Sequence, residues 1–208
     1  IRGELHLGVV PILNVAFMPQ LLGEFAVSHP GVRLNVEEIS STDIETALEE
    51  GRMDVGLGFL TRHSPNLQYE RLCTDEFALI VHQSHKWARR RTIAVTELHQ
   101  ERVLQLHDSF VMRRMSDAIC REHQVRPRNV AEINAIETLL RSLAPLDAAA
   151  LMPKIALRGT TGLTSIRLKG KNLALEIGLL QLIGSDTSDA VSEFAKLARA
   201  TIPKIVRG

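Results

Sequence analysis

Only two cysteines, Cys73 and Cys120, occur in 208 residues. They are too few to staple a chain of this length, and their spacing matches no metal-binding signature. Both lie in apolar or amphipathic surroundings and read as buried free thiols, which suits a reducing cytoplasm. One Trp, one Tyr and an aromatic fraction of 4% leave no row of rings on which sugars or bases could stack. No segment reaches the ~18 consecutive apolar residues of a membrane span, and no secretory signal opens the chain. No membrane partner and a cytoplasmic location are therefore expected. Ile1 is not an initiator Met, so upstream sequence, a signal peptide or a DNA-binding domain, is read as removed.

A dominant charge is missing as well. Twenty-five basic residues face 24 acidic ones, for a net charge of +1, so the chain lacks the overall basic footprint of a domain that binds nucleic acid by itself. The dense run Arg89-Arg90-Arg91 reads as a solvated turn. Enzyme signatures are also lacking: there is no Gly-x-Ser-x-Gly elbow and no His-Glu-x-x-His. Gly56-Leu57-Gly58 has no third glycine opening a helix, so close strand packing is the better reading. Eight histidines, including His82, His85, His63, His99, His107 and His123, lack the matched Cys, Asp or Glu spacing of a metal site and read as surface or capping residues. The chain is expected to be no enzyme and to hold no metal or cofactor.

What is present is periodicity. Glu4 to Val10 reads as a buried strand, after which Asn14 could cap a helix whose Phe17, Met18, Leu21, Leu22 and Phe25 recur at helical spacing. Pro30-Gly31 ends it, and Val32, Leu34 and Val36 alternate as a second strand. Thr42-Asp43-Ile44-Glu45 has the form of a capping box for a helix that Gly51 stops, and Asp54 to Phe59 is a third strand. Two strand candidates follow, Leu67–Leu72 and Glu76–His82. The pattern then restarts: a Thr96-capped turn, a strand at Val103–Leu106, a helix over Ser109–His123, a strand at Val130–Ile133, a helix from Ile136, and a strand at Ala148–Met152. Leu173 to Ile183 is a long strand, followed by a last amphipathic helix through Ala190, Phe194 and Leu197. Strand and helix alternate throughout, the signature of parallel α/β units. Two lobes are expected, residues 1–82 with 184–208 and residues 83–183, joined by two crossover strands.

Several segments carry a family resemblance. Ile1-Arg2-Gly3-Glu4-Leu5-His6-Leu7-Gly8, Phe25 through Pro30 leading into Val32–Val36, Leu48–Leu57, Leu79–His85 and Leu151-Met152-Pro153 resemble, in order, the effector-binding domain of LysR-type transcriptional regulators. The nearest subgroup in appearance is the cyanate-operon regulator. The resemblance implies a type 2 periplasmic-binding-protein-like fold, dimers or tetramers, and DNA contact only through an N-terminal winged helix-turn-helix. In the family's antiparallel pairing the opening helix meets the Ser109–His123 helix of a partner. Two departures stand out. Pro11-Ile12-Leu13-Asn14 lacks the hydroxyls the family often carries after the first strand, and Ala144-Pro145-Leu146-Asp147 replaces glycines.

In such units ligands sit where strand C-terminal ends face helix N-termini, whose amides and dipole favour an anion. The ends Pro11–Asn14, Ser40–Thr42, His107–Met112 and Asn134–Glu137 make Leu13, Asn14, Ser41, Thr42, Phe110, Met112 and Asn134 the candidate ligand residues. Arg113 or Arg114 could add a cation. Plain capping is the competing role for Ser41 and Thr42, and core or dimer packing for Phe110 and Met112. The resemblance implies that Ser41, Phe110 and Met112 match positions lining the effector site of aromatic-acid-sensing members. The function expected is the sensing of a small organic anion in an interlobe cleft. A periplasmic solute-binding protein or an enzyme on the same scaffold are the alternatives.

Overall fold

The computed structural model describes residues 1–60, 64–185 and 188–207; His63 and part of the Gly184–Asp189 connection lie outside them. The chain divides into two compact units, Ile1–Asp75 with Leu175–Gly208, and Glu76–Ala174. Each is α/β.

In unit 1, β1 (Gly3–Val9) pairs in parallel with β2 (Val32–Glu38) and β3 (Val55–Phe59), and β10 (Ala174–Leu182) pairs antiparallel with β3. The strand order is β2-β1-β3-β10, followed by β4 (Leu67–His82). Helix α1 (Pro11–Ser28) follows β1, α2 (Ser41–Glu49) follows β2, and α5 (Asp189–Arg207) closes the chain. Leu5, Leu7 and Val9 point inward at 0–2% exposure. Helix α5 packs on α1: Phe194 meets Phe25 edge-on at 5.8 Å, an arrangement worth ~0.5–1.5 kcal/mol beyond the area it buries. Thr201 adds a hydroxyl bond to Glu24 (3.1 Å). Gly56 lets α2 lie against β3, because a Cβ there would strike Ile44.

Unit 2 contains the end of β4 together with β5 (Thr92–Ala94), β6 (Arg102–Leu106), β7 (Arg128–Ile133), β8 (Ala149–Pro153) and β9 (Leu163–Lys169). Strands β6 and β7 are parallel, β8 and β9 flank β4 antiparallel, and β5 runs parallel to β9. Helices α3 (Val111–Glu122) and α4 (Ile136–Ser142) follow β6 and β7.

Several local expectations need correction. Helix α1 starts at Pro11, three residues before Asn14, because proline at the first helical position already has the required φ and no amide to leave unpaired. The cap of α2 is Ser40, not Thr42: its Oγ accepts the Asp43 amide (3.2 Å) and donates to the Asp43 carboxylate (2.6 Å). The turn near Thr96 begins at Ala94, whose amide is bonded by the Glu97 side chain (3.0 Å). The two strand candidates between Leu67 and His82 are one strand of 16 residues. Strands β5 and β9 had no counterpart in the sequence reading. Asp147, in the segment that replaces glycines, adopts φ 43°, a left-handed conformation that a short polar side chain tolerates.

Charge is divided unequally. Unit 2 carries 16 Lys and Arg against nine Asp and Glu, whereas unit 1 carries nine against 15. The near-neutral whole describes neither part.

Candidate functional site

In unit 1 the C-terminal ends of β1, β2 and β3 form one rim. Val10 donates to Leu57 O (3.1 Å) and Ile39 to Val9 O (3.1 Å), which fixes where α1 and α2 begin. The amides of Leu13 and Asn14 both return to Val10 O (3.0 Å), and Pro11 has none, so the opening turn of α1 offers a ligand little. Leu13 is fully buried. Asn14 is half-buried and donates to Glu38 Oε2 (2.9 Å), tying α1 to the end of β2. Helix α2 is different. Ser41 and Thr42 occupy its first turn, where amides have no intrahelical acceptor. Thr42 is exposed, while the Ser41 hydroxyl is buried with no hydrogen-bond partner among the described residues.

The equivalent rim of unit 2 lies at the ends of β6 and β7, where His107 donates to Ile133 O (3.0 Å). The His107 ring Nδ1 accepts the Ser109 amide (3.3 Å) and lies 3.0 Å from its hydroxyl. Phe110 caps α3 and is half-buried; its carbonyl receives the amides of Arg113 (3.1 Å) and Arg114 (3.4 Å). Asn134 is exposed in the bend before α4. Met112 is 3% exposed and lines a void of about 20 Å³ with Leu104, Leu106, Leu139 and Leu151. Packing occupies it. Neither arginine stands free: Arg113 binds Asp117, Leu106 O and Glu132 at 2.8–2.9 Å, and Arg114 reaches the carbonyls of Asp108 and Ser109.

Leu13, Asn14, Ser41 and Thr42 thus gather on one rim, and Phe110 and Asn134 on another, with Met112 turned into the core of unit 2. Ser40, Glu38, His107 and Ser109, which build these rims, were not among the candidate ligand residues. For Ser40, His107 and Ser109 the available signal was a Ser or His one to four residues before a helix start. Four other imidazoles among the described residues share the chemistry of His107. Ring nitrogens of His82, His85 and His99 accept the amides of Ser84, Trp87 and Arg126 (3.2–3.3 Å), and His123 Nε2 accepts that of Lys171 (3.0 Å).

The LysR substrate binding domain family matches residues 1–203. The chain belongs to that family. The transcriptional activator LysR of Escherichia coli K12 is 26% identical over 208 residues, 99% of this chain and 66% of that protein. The DNA-binding dual regulator OxyR of the same organism is 22% identical over 201 residues, 95% of this chain and 66% of that protein. The hydrogen peroxide-inducible genes activator of Dickeya chrysanthemi is 23% identical over 154 residues, 74% of this chain and 50% of that protein. The chain spans between half and two thirds of these relatives. Among solved structures, the Synechocystis PCC6803 CcmR regulatory domain in complex with 2-PG superposes with a TM-score of 0.86 at 19% identity, covering 97% of this chain and 100% of that one. The QuiR effector-binding domain in complex with shikimate gives 0.82 at 17% identity, covering 96% and 97%. The LysR-family fold is therefore type 2 periplasmic-binding-protein-like, and the matched relatives are transcriptional regulators rather than enzymes. Among the described residues no helix is long and apolar enough to cross a membrane.

Proposed function

We propose that this LysR-family domain senses a small organic anion with an apolar part, bound at the α2 N-terminus of unit 1. The observation that carries the reading is the Ser41 hydroxyl: a buried polar group without a partner costs about 1–3 kcal/mol, and a ligand oxygen would satisfy it. The amides of Ser41 and Thr42 and the positive end of α2 favour negative charge there. Asn14, held by Glu38, positions the rim instead of reaching the ligand. Ile12 and Leu13, buried and standing in place of hydroxyls, leave the start of α1 without a side-chain donor for a ligand. Phe110 and Asn134 are the residues proposed to receive a ligand group at the ends of β6 and β7 in unit 2. The relatives bound to 2-PG and shikimate support the ligand class.

Self-association is the second part of the reading. Val15 and Val27 of α1 are 62% and 83% exposed, with Pro19, Gly23 and Ala26 exposed on the same helix. A second copy is the proposed cover, its basic unit 2 meeting the acidic unit 1. Ligand and assembly would be coupled only through unequal affinity for two arrangements, by ~1–3 kcal/mol. In the full-length regulator, proposed to be cytoplasmic, that coupling would reach the DNA-binding part. A peroxide sensor of thiol chemistry is the weaker reading, since burial pushes both cysteine thiols up to about 11 and away from the reactive thiolate.

The test is calorimetry with aliphatic acids, aromatic acids and inorganic anions on the wild type, Ser41→Ala and Phe110→Ala. The expected result is an organic acid as best binder, weakened tenfold or more by Ser41→Ala. A cation or a neutral sugar as best binder, or unchanged affinity in both variants, overturns the reading.

A further inference from the structure

The basic character of unit 2 is concentrated at one corner. Parallel pairing sets Thr92 of β5 against Arg167 of β9, and Ala94 against Lys169. The Arg167 amide donates to Arg91 O (3.2 Å), bringing the Arg run alongside. Alternation then sorts the faces: Ile93, Ile166 and Leu168 are buried at 0–4%, while Arg167 and Lys169 are exposed. Arg89, Arg91 and Lys171, at the adjoining strand ends, are exposed too. Among the described residues none of these five cations makes an ion pair.

The neighbouring carboxylates are bonded to other partners, though Lys169 also acts on Glu97 through its charge. Arg90 clamps Glu97 through two bonds (2.7 and 2.9 Å), Lys86 holds Glu101 (2.6 Å), and Asn172 holds both oxygens of Glu122 (2.7 and 2.8 Å). Glu76, two residues before the Ala78 that pairs with Arg167, is the remaining acid on the flanking strand. The corner therefore gathers five exposed cations, two of them, Arg167 and Lys169, at backbone positions set by the β5–β9 pairing. A protein partner would want apolar anchors, yet the large exposed apolar side chains, Ile1, Val15, Val27 and Ile183, all belong to unit 1. A polyanion needs charge alone. Arg167 and Lys169 are separated by about 6.7 Å along the strand, about two base-pair rises measured along the DNA axis.

We propose that the β5–β9 corner, with Arg89, Arg91, Arg167, Lys169 and Lys171, is a sequence-independent contact for the phosphate backbone of duplex DNA. It departs from the expectation drawn from a net charge of +1, because the acids that balance these cations lie in unit 1. It stands apart from the ligand reading, since no rim residue takes part.

The experiment is fluorescence anisotropy of this chain with a random-sequence duplex of about 30 base pairs across a salt series. Expected is weak binding at low salt, with a Kd on the order of 10–100 μM and a log–log salt slope of roughly −3 to −4. The double variant Arg167→Gln/Lys169→Gln should weaken binding tenfold or more and lower the slope by about two, with an unchanged circular dichroism spectrum. Arg128→Gln, on β7 of the same unit, should change it less than twofold. No binding at the lowest salt overturns the proposal, as does an equal loss with Arg128→Gln, which would mean diffuse charge. Tighter binding to phosphatidylserine vesicles or to polyglutamate than to DNA also overturns it, and names a membrane or an acidic protein as the partner.

Discussion

Arg113 Nη1 donates to Glu132 Oε2 at 2.8 Å, and the same nitrogen donates to Leu106 O, so one guanidinium joins α3 to both β6 and β7. Nε holds Asp117 one turn along (2.9 Å). Truncation strands a part-buried carbonyl and two carboxylates. Arg113→Ala is expected to lower stability by about 1–3 kcal/mol in urea denaturation. Arg113→Lys should recover only part of it, since an ammonium cannot reproduce the planar fork.

Gly178 marks the tightest approach in unit 1. A Cβ there would collide with the Glu70 carbonyl and the Leu60 side chain, and backbone cannot yield as a side-chain tip can. Gly178→Ala should cost about 1–3 kcal/mol or more. Gly23→Ala, in α1 with nothing within 4 Å, should instead raise stability by roughly 0.5–1 kcal/mol. Equal melting temperatures for the two variants would refute this account.

His85 supplies the pH prediction. Its Nδ1 accepts the Trp87 amide, and the ring is 6% exposed. Burial lowers its pKa below 6.5, Asp147 and Glu101 pull the other way, and Lys86 reinforces the lowering. With the folded value depressed, the unfolded chain binds the proton first as pH falls. Stability is thus full above about 6.5 and declines below it toward the folded value. Urea midpoints at pH 7.5 and 5.5 should differ less in His85→Asn, which keeps an acceptor that does not titrate.

The thiols give a kinetic test. Burial pushes Cys73 and Cys120 up to about 11, and Asp75 and Asp117 push the same way. Thiolate near neutral pH should be ~100-fold scarcer than for an ordinary cysteine, so native alkylation should be slow and become fast in urea. Cys120 is buried and Cys73 half-buried, so rapid labelling of Cys120 in the folded chain would contradict this.

Pairing through α1 predicts a dimer at micromolar concentration in sedimentation equilibrium. Val15→Asp/Val27→Asp should shift it toward monomer without loss of helix content. A wild-type monomer across that range removes the idea.

The alternation of strands and helices was legible because nearly every element buries one face. Boundaries failed where two chemistries fit one stretch. Asn14 has the form of a cap, but Pro11 already starts the helix. Thr42 begins a capping pattern, but Ser40 is better placed to reach the Asp43 amide. Cys73-Thr74-Asp75-Glu76 interrupts the apolar pattern of β4 without interrupting its backbone. Strands β5 and β9 carry too many polar residues to stand out. The rim residues around Ser41 could be named from helix starts. The division of charge was hidden in the whole-chain total: unit 2 is one contiguous span, Glu76–Ala174, whose own count shows the basic excess, whereas unit 1 is assembled from both ends of the sequence.

That discontinuity has a consequence for synthesis. As the chain leaves the ribosome, unit 2 is complete once Ala174 has emerged, but unit 1 still lacks β10 and α5. Until then the apolar face of α1 around Phe25 has no Phe194 to cover it, and β3 has an open edge where β10 belongs. Of the two units, the one begun first is thus finished last, and it waits with its greasiest surface uncovered, where holdase chaperones bind and where a truncated product would aggregate.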